Sequence, residues 1–391
     1  MIALVPPTIW LPEHTEALRS EVRVFLDAEI AAGRFTPRID AWLSAWDADF
    51  SKRLGERGWL GMTVPTEYGG HGLSSLERYV VTEELLAAGA PVSAHWIADR
   101  QIAPSLMRFG TEEQRETYLP KIARGECYFA IGLSEPDAGS DLAAVRSSAV
   151  KVDGGWQLNG RKVWTSGAHL AHAFFALART APVEGRDRHK GLTQFLVHLD
   201  WPGVTIRPIR LISGAHHFNE VIFDDVFVPD ARVLGEPGDG WHTATAELAL
   251  ERSGPERILS TFALLTTLVD ALSDVTEDRR AAVDYELGPL VSRMWTLRQM
   301  SLAVAGALAR GELPDVAASL VKDLGTQLEI AVIDSARLLS QVQADPSADA
   351  NGPHRLARLL ADSVLQAPGF SLRGGTSEIL RGMVARGLGL R

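Results

Sequence analysis

The sequence predicts an α+β chain in which a helical segment, a β-rich segment and a second helical segment follow one another, over residues 1–125, 126–233 and 234–391. Three observations lead there. Apolar residues recur at helical spacing from Glu16 to about Arg124. Short β-rich runs separated by turn residues fill Cys127 to Val233, and helical periodicity returns after Gly240.

In the first segment, Leu18, Val22, Phe25 and Leu26 form one helical stripe and Leu76, Val80, Val81 and Leu85 another. Tyr68-Gly69-Gly70-His71-Gly72 breaks the chain between them, and Thr111 with Gln114 three residues on marks a helix start. In the second segment, Ser148 to Val152 and Trp156 to Leu158 flank Asp153-Gly154-Gly155. Asn159-Gly160 then predicts a type I′ hairpin turn before Lys162-Val163-Trp164. With His172 to Ala178, Thr193 to Leu199, Val204 to Ile209 and Glu220 to Val228, these runs predict a small antiparallel sandwich or barrel rather than a βαβ unit. The last segment breaks near Gly254-Pro255, Asp274 to Asp278, Gly311 to Pro314 and Ala344 to Pro353. Pro255 has no N–H for the carbonyl of residue 251 and crowds it, so a kink is expected beside Glu251.

Composition removes several function classes. The chain has 391 residues, 46% of them hydrophobic, and 39 Lys and Arg against 49 Asp and Glu give a net charge of −10. No overall field favours nucleic acid or an anionic membrane. Met1 to Trp10 lacks a secretory pattern, and no stretch reaches the roughly 18 to 20 apolar residues that span a bilayer. A single cysteine, Cys127, excludes an internal disulfide, suits a reducing cytoplasm and reads as a small buried residue. A soluble cytoplasmic protein is expected.

Gly132-Leu133-Ser134-Glu135-Pro136-Asp137-Ala138-Gly139-Ser140-Asp141 resembles the signature of the acyl-CoA dehydrogenase family. Leu158-Asn159-Gly160-Arg161-Lys162-Val163-Trp164-Thr165-Ser166 is similar to that family's Leu-Asn-Gly-x-Lys-x-Trp-Ile-Thr run. Phe223-Asp224-Asp225-Val226-Phe227-Val228-Pro229 and Gly374-Gly375-Thr376-Ser377-Glu378-Ile379 resemble two further motifs, in family order. The resemblance implies an N-terminal α-helical domain, a middle antiparallel β-domain and a C-terminal four-helix bundle. It also implies FAD, an acyl-CoA substrate, an electron-transferring flavoprotein as acceptor, and self-association as a dimer or tetramer.

An isoalloxazine ring calls for backbone N–H groups, hydroxyls and one flat aromatic wall. By resemblance, Leu133 and Ser134 reach its pyrimidine edge, Ser166 lies near N5 and Trp164 lies beside the ring. Ser140 takes the position that touches the acyl carrier, and Thr376 and Glu378 those that contact the flavin chain, with glutamate in place of the usual glutamine at 378. The family oxidises an acyl thioester to the trans-2-enoyl form, with a carboxylate taking the α-proton while flavin N5 receives the β-hydride. Many members carry that carboxylate directly before Gly-Thr in the C-terminal motif, where this chain has Gly374. The isovaleryl and long-chain branches carry it in Leu-x-x-Glu-Arg, and Leu248-Ala249-Leu250-Glu251-Arg252 matches, which makes Glu251 the candidate base. The glycine at 374 is expected to leave space opposite it. Arg252 follows as a structural or substrate-side charge, Glu247 and Glu256 are competing carboxylates, and His216 and His217 read as surface or structural residues with no metal role.

Two family features are missing. The arginine that reaches the FAD pyrophosphate across a dimer interface aligns with Asp284, and the Gln-x-x-Gly-Gly-x-Gly run before the last helix is absent between Leu359 and Phe370. These departures leave open a non-catalytic or half-site subunit completing the site of a homologous partner chain. An acyl-carrier-protein-linked flavin dehydrogenase or oxidase is the other alternative.

Overall fold

The structure, a computed structural model, describes residues 4–183 and 187–390, the side chains at 249–251 excepted. The chain forms two compact units, one from Met1–Ala45, Ser74–Pro91 and Arg252–Arg391, the other from Trp46–Leu73 and Val92–Glu251. The helical stretch 1–125 is thus divided between them.

The first unit is helical. The stripe of Val22, Phe25 and Leu26 is buried in helix His14–Ala31, and Val80, Val81 and Leu85 are buried in helix Ser75–Ala87, which opens on a Ser74–Glu77 capping box. Between these helices the buried Arg19 guanidinium donates to Glu83 at 3.0 Å and also to Glu84, while Arg298 holds Glu83 from the Glu277–Ala309 helix at 2.6 and 2.8 Å. Leu264, Leu268, Leu297, Leu328, Val332, Leu360 and Phe370 belong to one apolar cluster that joins the helices Phe262–Ala271, Glu277–Ala309, Asp315–Leu339 and Arg355–Phe370. The last helix is Ser377–Gly387.

The second unit carries one sheet of eight strands: β1 Phe129–Gly132, β2 Ser148–Val152, β3 Gly155–Ser166, β4 Ala173–Arg179, β5 Leu192–His198, β6 Val204–Ile209, β7 Phe218–Pro229 and β8 Val233–Leu234. Their order is β6-β7-β3-β2-β4-β5-β8, with β1 beside β4. Antiparallel pairing holds along most of the sheet. It gives way where β4 takes β1 in parallel and meets β2 at the single parallel pair Ser148↔Arg179. Phe174, Phe195, Val197, Val221, Val226 and Val228 form its main core. Thr111 opens helix Glu112–Ala123 with the capping box its sequence foretold. Cys127 is buried, and burial pushes its thiol up to about 11. No helix of the described residues is long and apolar enough to cross a membrane.

Two local expectations are corrected. Asn159-Gly160 does not make a hairpin turn. The turn is Asp153-Gly154, since Val152 pairs with Gly155, and β3 runs on through Asn159-Gly160 with a register irregularity against β7. The Asn159 amide donates to Asp225 Oδ1 at 2.8 Å and its oxygen accepts from the Asp225 N–H at 2.9 Å. Asp225 itself has φ +51°. The left-handed conformation that Asn-Gly would place in a turn is thus used for a bulge between two long strands. The second correction is at Pro255: the helix Gly240–Glu251 ends rather than kinks, and Pro255 opens a separate 3-10 turn, Pro255–Arg257, after an extended Gly254. Proline is well suited to that first position because its missing N–H is an orphan there in any case.

Two outcomes are expected. At Gly160, φ is +147° and an added Cβ would lie 2.2 Å from Ser147 Oγ, so Gly160→Ala is expected to lower unfolding stability by roughly 2 kcal/mol or more, read by denaturant titration. Burial pushes the His95 imidazole, bonded to Ser51 Oγ at 2.8 Å, down to about 3. An unfolded histidine titrates near ~6.5, so on acidification the unfolded chain takes a proton the folded one refuses. This group therefore removes about 1.4 kcal/mol per pH unit as pH falls through that window. His95→Gln is expected to flatten the stability profile from about pH 6 to about pH 4; an unchanged slope in urea melts contradicts it.

Candidate active site

In the second unit the sequence-selected residues converge on β3 and the loop after β1. Leu133 is half-buried against Ala138, Val145, Leu177 and Leu192. Ser134 is half-buried too, and its carbonyl accepts the Val163 N–H at 3.0 Å, which joins the loop to β3 beside Trp164. Trp164 has φ +60° and is 57% exposed, with its ring edge-on to Phe218 at 5.8 Å. It lies in the second irregularity of β3, where the register with β7 slips between Lys162 and Thr165. A left-handed tryptophan costs of order 1–3 kcal/mol, and such strain is concentrated at functional positions. Ser166, opposite Phe218, is half-buried, and Ser140 lies exposed beyond the 133–135 loop.

Sequence reasoning passed over the supports of this arrangement. Lys162 is fully buried and donates to Glu135 Oε1 at 2.8 Å and to the Leu133 carbonyl at 3.3 Å. Burial pushes its ammonium down to about 8 against the attraction of Glu135. Burial also acts to raise the Glu135 carboxyl, but Lys162 and hydrogen bonds from Ser147 and Arg146 hold it below the usual carboxylate range. The available signal was parity, because Lys162 stands at even spacing from buried Trp156 and Leu158 and so points inward. At the end of β3, Asn219 Nδ2 donates to the Thr165 carbonyl at 3.1 Å. Asn219 also hydrogen-bonds His216 at 2.9 Å and His169 at 3.1 Å, and the two imidazoles stack at 4.1 Å. His217 is buried, and its carbonyl accepts the Gly167 N–H. His216, through its ring, and His217, through its backbone carbonyl, thus lie in the hydrogen-bonded structure where β3 ends and β7 begins.

Glu251 closes helix Gly240–Glu251, and its side chain lies outside the described residues. Of its competitors, Glu247 is buried and accepts from Gln194 Nε2 at 2.8 Å.

In the first unit, Thr376 caps helix Ser377–Gly387, and Glu378 lies exposed in its first turn. The helix's backbone N–H groups and Thr376 lower the Glu378 carboxyl. Arg252 is buried, with Nη1 3.4 Å from Met383 Sδ on that same helix. Glu256, the other competitor, is buried with Oε1 4.0 Å from Arg257 Nε.

Gly374, at φ +65°, does not leave open space. A Cβ there would lie 2.8 Å from Arg257 Nη2 and 3.1 Å from its central carbon. Arg257 and Arg373 cover the Trp42 ring at 4.9 and 4.7 Å, and Arg373 also pairs with Asp40 and donates to Ser260 Oγ at 2.9 Å. Asp284 is exposed on helix Glu277–Ala309, and helix Arg355–Phe370 continues through Pro368.

A helical unit and a sheet unit, with a strained aromatic and two hydroxyl side chains gathered on one strand and its neighbouring loop, are what the chain offers for comparison with known oxidoreductases. The chain belongs to the acyl-CoA dehydrogenase family: the family's N-terminal domain matches residues 12–126 and its middle domain residues 130–226. Acyl-CoA dehydrogenase IpdE1 of Mycobacterium tuberculosis is 42% identical over 316 residues, covering 78% of this chain and 79% of that one. The structure is similar to that of the Tcur3481-Tcur3483 steroid ACAD, with TM-score 0.84 and 28% identity over 100% of both chains. It is similar also to the ChsE4-ChsE5 complex from Mycobacterium tuberculosis, with TM-score 0.81 and 26% identity over 98% of this chain and 100% of that one.

Because asparagine tolerates φ near +60° better than tryptophan, Trp164→Asn is expected to keep or raise the melting temperature, by up to about 1 kcal/mol of stability. A clear fall in the thermal midpoint would show that the exposed indole stabilises the fold.

Proposed function

We propose that this chain catalyses the α,β-dehydrogenation of an acyl-CoA thioester to the trans-2-enoyl-CoA, with FAD as cofactor and electron-transferring flavoprotein as acceptor. Family membership supports the reaction class, and the observation that carries the flavin reading is Trp164. An exposed indole held in a left-handed conformation between two half-buried hydroxyl residues suits one face and edge of an isoalloxazine ring. When bound, the flavin supplies a hydride acceptor. In this reading Leu133 and Ser134 hold the pyrimidine edge, Ser166 the N5 region, Trp164 the ring, and Thr376 and Glu378 the flavin chain. Ser140 and Arg252 serve the substrate side.

Glu251 takes the α-proton in this proposal. Its support is the Leu-x-x-Glu-Arg match, together with Arg257 filling the space beside Gly374 where the alternative family position would put a carboxylate. The segments 1–125, 126–233 and 234–391 are taken as the functional domains.

A second reading has its own observation. Asp284 is exposed on helix Glu277–Ala309 at the position where the family carries its pyrophosphate arginine, and a carboxylate repels a diphosphate. Together with similarity to proteins whose names carry two components, this supports a half-site chain that shares its FAD with a homologous second subunit. Similarity to the Tcur3481-Tcur3483 steroid ACAD supports a steroid-derived acyl group.

Anaerobic titration of the purified protein with short, branched and steroid acyl-CoAs, followed by flavin bleaching, tests both readings. Wild type is expected to bleach, alone or with its second subunit, and Glu251→Gln to lose at least about 100-fold in rate. Full-rate bleaching by Glu251→Gln eliminates that base, and a colourless chain that acquires flavin only with a second subunit selects the half-site reading.

A further inference from the structure

We propose that Lys162 and Glu135 are positioning residues for the flavin seat, a clamp that fixes the Leu133–Ser134 loop against β3 immediately before the strained Trp164. The proposal rests on the flavin reading above and adds residues that touch neither substrate nor cofactor.

The geometry is contained within the second unit. Lys162 Nζ reaches both Glu135 Oε1, at 2.8 Å, and the carbonyl of Leu133, at 3.3 Å. One residue further, the Val163 N–H holds the Ser134 carbonyl at 3.0 Å. From the other side, the N–H groups of Ser147 and Arg146 donate to the two Glu135 oxygens at 2.9 and 2.6 Å. Glu135 also closes a tight turn with Ala138 through hydrogen bonds in both directions, at 2.8 and 3.1 Å. One carboxylate and one ammonium therefore join three separate stretches: the loop after β1, the entry to β2, and β3.

Buried ion pairs contribute little net stability compared with well-packed apolar residues of similar volume, so their distinctive property is direction. Here the direction falls on the backbone of Leu133 and Ser134, whose donors the flavin reading needs. It falls equally on β3 at the point where the chain leaves regular pairing and turns Trp164 outward. Were the loop to slide along β3, the hydroxyl of Ser134 and the indole of Trp164 would no longer present one surface. Preorganisation of this kind appears as cofactor affinity and as the rigidity of the cofactor's surroundings.

Two variants test it, each prepared as the full chain together with any subunit that copurifies. Lys162→Met with Glu135→Gln removes both charges at nearly constant volume, and Glu135→Asp keeps the charge on an arm one methylene shorter. After flavin removal, FAD is added back and followed by fluorescence quenching and by the shape of the visible band, with thermal midpoints measured in parallel. Both variants are expected to fold and to bind FAD at least about tenfold more weakly than wild type, with a less resolved visible band. Affinity within about twofold of wild type and an unchanged band in either folded variant overturns the clamp. If wild type itself takes up no FAD under any subunit composition, the flavin reading fails, and the proposal with it.

Discussion

Taking a carboxylate out of water costs several kcal/mol unless other donors replace its hydration. Glu135 meets that condition with an ammonium and two backbone N–H groups, and the arrangement constrains much of the sheet. For Lys162 to reach it, β3 must keep its even-numbered residues inward past Gly160. For Ser147 to reach it, β2 must enter beside Gly160, where a side chain on the glycine would strike the Ser147 hydroxyl. The bulge at Asn159-Gly160 and the slip after Lys162 are two adjustments that let one long strand meet these demands while staying paired with β7.

The helical unit solves a comparable problem with opposite charge. Two guanidinium groups face one indole, and the excess of positive charge is balanced by Asp40 on Arg373 and by Glu329, whose Oε2 is 3.7 Å from it. Burial pushes the Glu329 carboxyl up, Arg373 opposing. Arg373 directly precedes the Gly374-Gly375 pair, so the glycines begin from a fixed point, and the Arg257 side chain closes the direction in which a longer residue at 374 would extend. Gly374 and the guanidinium of Arg257, which lies in the direction a longer side chain would take, therefore form one local solution.

Much of this was legible in order and period. The helical stripes of Val22 and Phe25 and of Val80 and Leu85, the cap at Thr111, and the strand over Val204–Ile209 all follow from local spacing, because each is decided by neighbours within one turn or one hairpin. The misread elements depend on distant partners. Asn159-Gly160 carries the local signal of a turn, yet Asp225 on β7 supplies the hydrogen bonds that make it a bulge. Pro255 carries the signal of a kink, but the extended Gly254 before it lets the helix stop and a new turn begin. Lys162 reads as an ordinary charged strand residue until Glu135, 27 residues away, is known to lie beside it. At Gly374 the sequence showed an absence, and only the fold shows what fills it.

Cys127, the single cysteine of the chain, is buried with a thiol far less acidic than one in water, so almost none of it is thiolate at neutral pH. Burial and the raised thiol both oppose reaction of the folded chain with maleimides and other thiol reagents. A cysteine introduced at an exposed position, on the Asp284 face or beside Ser140, would carry a spin label or fluorophore alone, without prior removal of the native residue. The surroundings of each labelled position thereby become open to spectroscopy in an otherwise unaltered background.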